Sequence, residues 1–320
     1  MTTLITGANG FTGSHVVRAL CQRDRTVRGL VRTNSDLGRL NGLDVELVTG
    51  DLTDAAALKA ALAGVETVIH TAARVDLGIV DATEMIRTNV EGTRTLLDGA
   101  VAAGVRRFVH CSTIGIYGHT GAAIADETHR RDPTTKVASA YDRSKLDAQA
   151  LVDHYGATHD GFEVISVMPS GILGQGDPHF GPVVTRFLAG RLKYWVASHR
   201  ITGIVHVEDV AEALVLAAER GKAGVHYIAS AGELTTGEMF AILAANAGLP
   251  EPKELPEPLV RLLGHVMDPV GRLLNVNPPL SRERVHYLYD RCVRVDAAKA
   301  RKELGWQPQT PEETVRRLIP

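Results

Sequence analysis

The chain has 320 residues and 44% hydrophobic content, enough to bury one large core and a smaller lobe, as is ordinary for a globular enzyme. A formal net charge of -2 carries no nucleic-acid footprint, and no apolar run reaches the roughly 18 residues that a membrane span needs. Cys21, Cys111 and Cys292 are odd in number and show no CxxC spacing, so neither a zinc site nor a redox dithiol is expected, and a reduced, cytoplasmic setting fits them.

Leu4-Ile5 reads as the end of a short buried strand, beginning so near Met1 that no room is left for a signal or transit segment. Thr6-Gly7-Ala8-Asn9-Gly10-Phe11-Thr12-Gly13 follows, and Val16, Val17, Ala19 and Leu20 then open a helical apolar stripe. Strand, tight turn and helix in that order make a dinucleotide cradle: Gly7, Gly10 and Gly13 admit positive φ and close approach to a pyrophosphate, and the helix N-terminus supplies N–H donors. A plain glycine turn is the alternative.

The next strand, Val27 to Val31, ends in Arg32, where a ribose-binding chain would carry Asp or Glu. A guanidinium there pairs with a 2′-phosphate and favours NADP, with Thr33 and Ser35 as further donors; Asp36 nearby keeps NAD open. Val45 to Val48 and Gly50-Asp51-Leu52 read as a third strand whose exit carboxylate reaches the adenine edge, unless Asp51 caps the helix beginning near Ala55.

Far downstream, Tyr141 and Lys145 lie four apart and so share a helix face. An ammonium beside the phenol would favour the phenolate and lower its pKa, making Tyr141 a usable general acid or base; a surface pair beside a core aromatic is the competing reading. Strands alternate with helical stretches from Thr3 to about Val167, the rhythm of a parallel sheet with helices on both faces. Past Pro169 the texture turns to Gly- and Pro-rich loops, with a return to the main sheet expected around Ile204 to Val207 and Val225 to Ile228. The cofactor domain is thus placed at 1–170 plus about 204–229, and a discontinuous substrate lobe at about 171–203 and 230–320.

Read together, these segments resemble an extended short-chain dehydrogenase/reductase over nearly the whole chain. The likeness includes His70-Thr71-Ala72-Ala73, Asn89-Val90-Glu91-Gly92-Thr93, Val109 to Gly118, Tyr141-Asp142-Arg143-Ser144-Lys145, Met168-Pro169-Ser170-Gly171, Val205 to Ala211 and Lys299 to Trp306. It implies an α/β, Rossmann-type doubly wound parallel sheet with a smaller substrate lobe, and roles by position. Thr113 would hydrogen-bond the substrate carbonyl, with adjacent Ser112 as rival. Tyr141 would donate the proton, Lys145 would hold the nicotinamide ribose, and Asn89 would orient that helix or a relay water. Gly7, Asn9, Gly10, Phe11, Thr12, Gly13, Arg32, Asp51, Leu52, Thr71, Ala72, Ala73, Pro169 and Ser170 would line the cofactor. The family often has Arg where this chain has Met168.

Within that family, dehydratases carry Asp-Glu directly after the catalytic Ser/Thr, where this chain has Ile114-Gly115, and nucleotide-sugar enzymes carry Arg-Asp-Phe where it has Thr202-Gly203-Ile204. Pro258 to Met267 with Leu273-Leu274 form an amphipathic stretch, read as core packing, a substrate wall or a membrane contact. With Pro278-Pro279-Leu280-Ser281 it resembles the dihydroflavonol reductase and 3β-hydroxysteroid dehydrogenase-like branch. That branch implies reduction of a ketone or aldehyde on a bulky hydrophobic small molecule, steroid-, flavonoid-, aromatic- or acyl-like. Arg32 makes NADP(H) the expected cofactor, and the family resemblance implies a homodimer built on the helices bearing Asn89 and Tyr141. A nucleotide-sugar epimerase holding NAD and a catalytically silent dinucleotide sensor are the alternatives.

Overall fold

A computed structural model describes residues 2–319. Seven parallel strands form its central sheet: β1 (Thr2–Thr6), β2 (Thr26–Val31), β3 (Glu46–Thr49), β4 (Val65–His70), β5 (Arg107–Cys111), β6 (Glu163–Pro169) and β7 (His226–Ala229), in the order β3-β2-β1-β4-β5-β6-β7. Successive residues of the inner strands feed opposite faces. Ile5, Ile69, Val109 and Ile165 enter one apolar cluster with the helices Phe11–Cys21 and Val207–Arg220. Their neighbours Leu4, Val68, Phe108 and Val164 enter another with the helices Ala55–Leu62, Gly92–Ala102 and Ala140–Thr158. Burial on both faces is why these strands read as continuous apolar runs rather than as alternation. Strand order reverses between β1 and β4, so the loops leaving those two strands part and open a crevice at their carboxyl ends.

The return of the chain at 204–207 differs from expectation. Ile201–His206 does not join the central sheet; it pairs in parallel with Gly171–Leu173 and antiparallel with Gly232–Thr235 in a separate three-stranded sheet. The place beside β6 is taken by β7, whose register runs from Ser166 to Pro169, and the Ser170 N–H bonds to the Ala229 carbonyl as the chain turns away. The second sheet packs with the helices Gly181–Leu188, Thr236–Ala247 and Pro311–Arg316 around a third cluster that includes Phe187, Phe240, Leu243 and Val315.

The amphipathic stretch forms the helix Glu257–Leu274, which docks through a narrow seam of Val260, Gly264, Asp268 and Gly271. Gly264 and Gly271 are required there, because an added Cβ would lie 2.7 Å from Val285 Cγ2 and 2.8 Å from Pro278 Cδ respectively. The larger apolar residues are not core: Leu262 is 60% exposed and Leu273 85% exposed, with Leu259, Val266 and Leu274 also turned outward. No helix among the described residues is long and apolar enough to cross a membrane.

Candidate active site

The loop leaving β1 is built by close approach. Gly7 adopts φ +67°, and a Cβ on it would sit 2.8 Å from Ala72 Cα; a Cβ on Gly13 would sit 2.1 Å from the Gly7 carbonyl oxygen. Gly10 donates to the Gly7 carbonyl at 2.9 Å and then caps the helix Phe11–Cys21 with no side-chain acceptor, so the first helical N–H groups, those of Phe11, Thr12 and Gly13, have no capping oxygen. Those donors and the cleared space fit a pyrophosphate. Thr71 sews β4 to β1 through its hydroxyl on the Thr6 carbonyl at 2.8 Å, and Ala72 donates to Thr6 Oγ1 at 3.3 Å, which holds the Ala72-Ala73 edge against the glycine loop. Asn9 ties that loop to the next one by donating to the Asp36 carbonyl at 3.1 Å.

Arg32 stands exposed directly after β2. Asp51 accepts from Thr53 N–H at 3.0 Å and from its hydroxyl at 2.7 Å. The Thr53 bonds, the backbone one foremost, with Arg87 and Arg32 nearby, hold its carboxyl below the ordinary carboxylate range against the opposing effect of burial. The helix at Ala55 is capped by Asp54, through bonds from Ala56 and Ala57, and not by Asp51. Leu52 is buried against Gly92, where a Cβ would lie 2.9 Å from Leu52 Cβ.

At the end of β5 the two rival hydroxyls separate. Ser112 is buried and its Oγ has no partner, whereas Thr113 is half-buried and caps the turn Ile114–Tyr117 by accepting from Gly115 N–H at 3.1 Å. The Thr113 hydroxyl thus spends a lone pair on the turn and keeps its proton to donate. Ser139 caps the helix Ala140–Thr158, accepting from Asp142 N–H at 3.0 Å, and so fixes where Tyr141 and Lys145 begin their shared face. Lys145 is buried and donates to the Cys111 carbonyl at 2.8 Å, two residues before Thr113. Asn89 is fully committed: its Oδ1 accepts from Arg74 N–H at 2.7 Å while its Nδ2 donates to the Arg74 carbonyl and to Ser144 Oγ, each at 2.9 Å. Ser144 in turn donates to the Tyr141 carbonyl at 2.8 Å, so Asn89 is hydrogen-bonded through Ser144 to the helix that carries the phenol. Ser170, after Pro169 at the end of β6, has a buried Oγ without a partner, which fits a hydrogen-bonding group of a bound ligand.

One expectation is reversed. Burial, with Tyr287 and Asp142 nearby, pushes the Tyr141 phenol above its ordinary pKa, and the Lys145 ammonium is drawn to the Cys111 carbonyl. Lys145 itself is pushed down to about 8 by burial. Burial thus favours the neutral phenol of Tyr141, the form that donates.

Sequence reasoning missed the neighbours of the pair. Asp142 is buried beside Arg291, Oδ1 to Nη2 3.2 Å. A Cβ on Gly115 would lie 2.4 Å from that Asp142 oxygen and 2.8 Å from Arg291 Nη2. The only sequence signal was the glycine itself, two positions past Thr113.

Residues 3–230 match the NAD dependent epimerase/dehydratase family. The chain belongs to that family. Among curated members of this extended short-chain dehydrogenase/reductase group, it is 34% identical to sterol demethylase protein B of Methylococcus capsulatus, over 96% of this chain and 94% of that one. It is 32% identical to a 4-hydroxy-2-methyl-3-oxo-4-farnesyl-3,4-dihydroquinoline-1-oxide ketoreductase of Stigmatella aurantiaca, over 96% and 92%. A double mutant of the dTDP-glucose 4,6-dehydratase DesIV of Streptomyces venezuelae, solved with NAD and DAU bound, superposes with a TM-score of 0.79 at 27% identity, covering 100% of this chain and 96% of that one. The protein is accordingly a nicotinamide-dinucleotide oxidoreductase or epimerase of this family with a Rossmann-like fold.

Proposed function

We propose that the protein is an NADP(H)-dependent reductase of a ketone or aldehyde on a bulky hydrophobic substrate, with Tyr141 as general acid. The observation that carries this reading is the Lys145 bond to the Cys111 carbonyl, which ties the Tyr141 helix to the strand end presenting Thr113. When bound, the reduced nicotinamide supplies the hydride. Thr113 donates a hydrogen bond to the carbonyl oxygen, where negative charge develops, and Tyr141 delivers its proton there. Lys145 binds the ribose side of the cofactor and Asn89 keeps the helix in place. Arg32 supports NADP, since an exposed guanidinium after β2 meets a 2′-phosphate and a carboxylate there would repel it. The names of the sterol and farnesyl-quinoline relatives support a large apolar substrate.

Elimination as in the dehydratase relatives is disfavoured by packing. The residue two past Thr113 is glycine, and the space its side chain would enter is filled by Asp142 and Arg291. Membership of the NAD dependent epimerase/dehydratase family supports a second reading, epimerisation with retained NAD, which the same experiment separates. Oxidation of NADPH and NADH is followed against a panel of hydrophobic ketones and aldehydes, with Tyr141→Phe as control. NADPH consumption that falls about 100-fold or more in the variant is expected. Purified protein that arrives with NAD bound and consumes neither cofactor would transfer the reading to epimerisation.

A further inference from the structure

We infer that the site reads an anionic group, a carboxylate or a phosphate ester carried near the reacting carbonyl, through Arg200 and Arg291, which both lie against the Tyr287 ring. The inference rests on the carbonyl-reductase reading and narrows its substrate class. The Arg291 guanidinium carbon lies 4.4 Å from the Tyr287 ring centroid and that of Arg200 5.2 Å. Arg291 is 9% exposed and touches Asp142, which is 2% exposed, through one contact of 3.2 Å. The second Asp142 oxygen is buried without a partner. Of the two guanidinium groups, Arg291 alone is paired with that buried carboxylate.

Arg200 is the unbalanced member. It is half-buried, its Nε is buried with no hydrogen-bond partner, and among the described residues no carboxylate comes within the 4.0 Å of an ion pair. A partly buried, unpaired cation is costly to the extent that it is desolvated unless a charge or acceptor arrives to meet it, and stacking on an aromatic face offsets only part of that cost. Thr202, two residues on, adds a buried hydroxyl with no partner. The cluster adjoins the chemistry: Arg291 Nη2 would lie 2.8 Å from a Cβ on Gly115, which is two residues past Thr113, and its partner Asp142 follows Tyr141. The guanidinium fork suits two oxygens of one anion, a match that lysine cannot make.

The test compares 4-acetylbenzoate, 4-acetylphenyl phosphate and the neutral 4-methylacetophenone by calorimetry, with and without NADPH, on wild-type protein, Arg200→Met and Arg200→Lys. Turnover is measured in parallel. One of the two anionic probes is expected to bind at least ten-fold more tightly than the neutral ketone; which one does so distinguishes a carboxylate from a phosphate source. The preference should vanish in Arg200→Met and survive in part in Arg200→Lys, with the neutral probe unmoved. Equal affinity for all three probes, no binding of either anion at millimolar concentration, or a preference intact in Arg200→Met would overturn the inference. Because binding is read without turnover, an anion held but never reduced leaves the site standing and removes the reductase reading. Neutral ketones reduced without anion preference do the reverse.

Discussion

At the scale of single residues, the decisive group is Lys145, buried and pushed down to about 8 by that burial. Below that pH both folded and unfolded chains carry the charge, so the burial penalty stands in full. Between about 8 and the ordinary 10.5 the folded state releases its proton first, and the penalty is relieved as pH rises. Lys145→Met should therefore raise stability at pH 7 by roughly 1–2 kcal/mol, net of the lost bond to Cys111, while abolishing turnover. The gain should shrink at pH 9.5. Thermal unfolding of both proteins at the two pH values checks this, and a variant less stable at pH 7 would show that the ammonium is not under strain. The spacing of Tyr141 and Lys145 was legible in the sequence because helix periodicity puts them on one face. The direction of the Tyr141 shift was not, since it is set first by burial in the folded chain, while the ammonium is held at a carbonyl on β5, 34 positions away.

At the scale of elements, the turn Ile114–Tyr117 and the helix Glu257–Leu274 make opposite predictions. Gly115→Ala pushes a methyl group into the Asp142–Arg291 pair and should cost about 1–3 kcal/mol, read as a lower urea midpoint with unchanged slope. The pair Leu262→Gln and Leu273→Gln should change stability by less than about 0.5 kcal/mol each, because both side chains already face outward. A loss of 2 kcal/mol or more would return that stripe to the core. The helix was legible from its period, but the face that docks was not. Apolar periodicity marks the wide stripe of leucines and valines, whereas close approach along the docked seam of Val260, Gly264, Asp268 and Gly271 is set by its two glycines. The strand Ile201–His206 was legible as a strand for the same local reason, and its sheet was misplaced because pairing is decided by β7, a segment later in the chain, occupying the edge of β6.

At the scale of the whole molecule, in-register pairing places His70, His110, Ser166 and His226 in one row across four strands, something no local window of sequence contains. His70 is held by Thr6 at 2.7 Å and Thr93 at 3.0 Å, and the His70 and His110 rings lie tilted by 31° with centroids 5.4 Å apart. Both ring nitrogens of His110 are buried without partners. Burial, reinforced by the nearby Lys145 charge, pushes His70 down to about 3 and His110 well below its ordinary value, and burial also takes His206 down to about 4. These rings stay neutral when folded and take up protons when unfolded, so each contributes stability above about pH 6.5 that is lost as pH falls, by up to roughly 1.4 kcal/mol per pH unit. The raised carboxyls of Asp142 and Asp209 act in the opposite sense, so the row is best isolated by difference. His110→Leu removes a ring whose nitrogens already lack partners and should be close to neutral at pH 7.5. At pH 5 it should be more stable than wild type by about 2 kcal/mol, the proton uptake of one histidine over 1.5 pH units. Urea unfolding at the two pH values measures the change, and parallel pH dependences for variant and wild type would mean that His110 titrates alike in both states and that the row is wetter than its packing indicates.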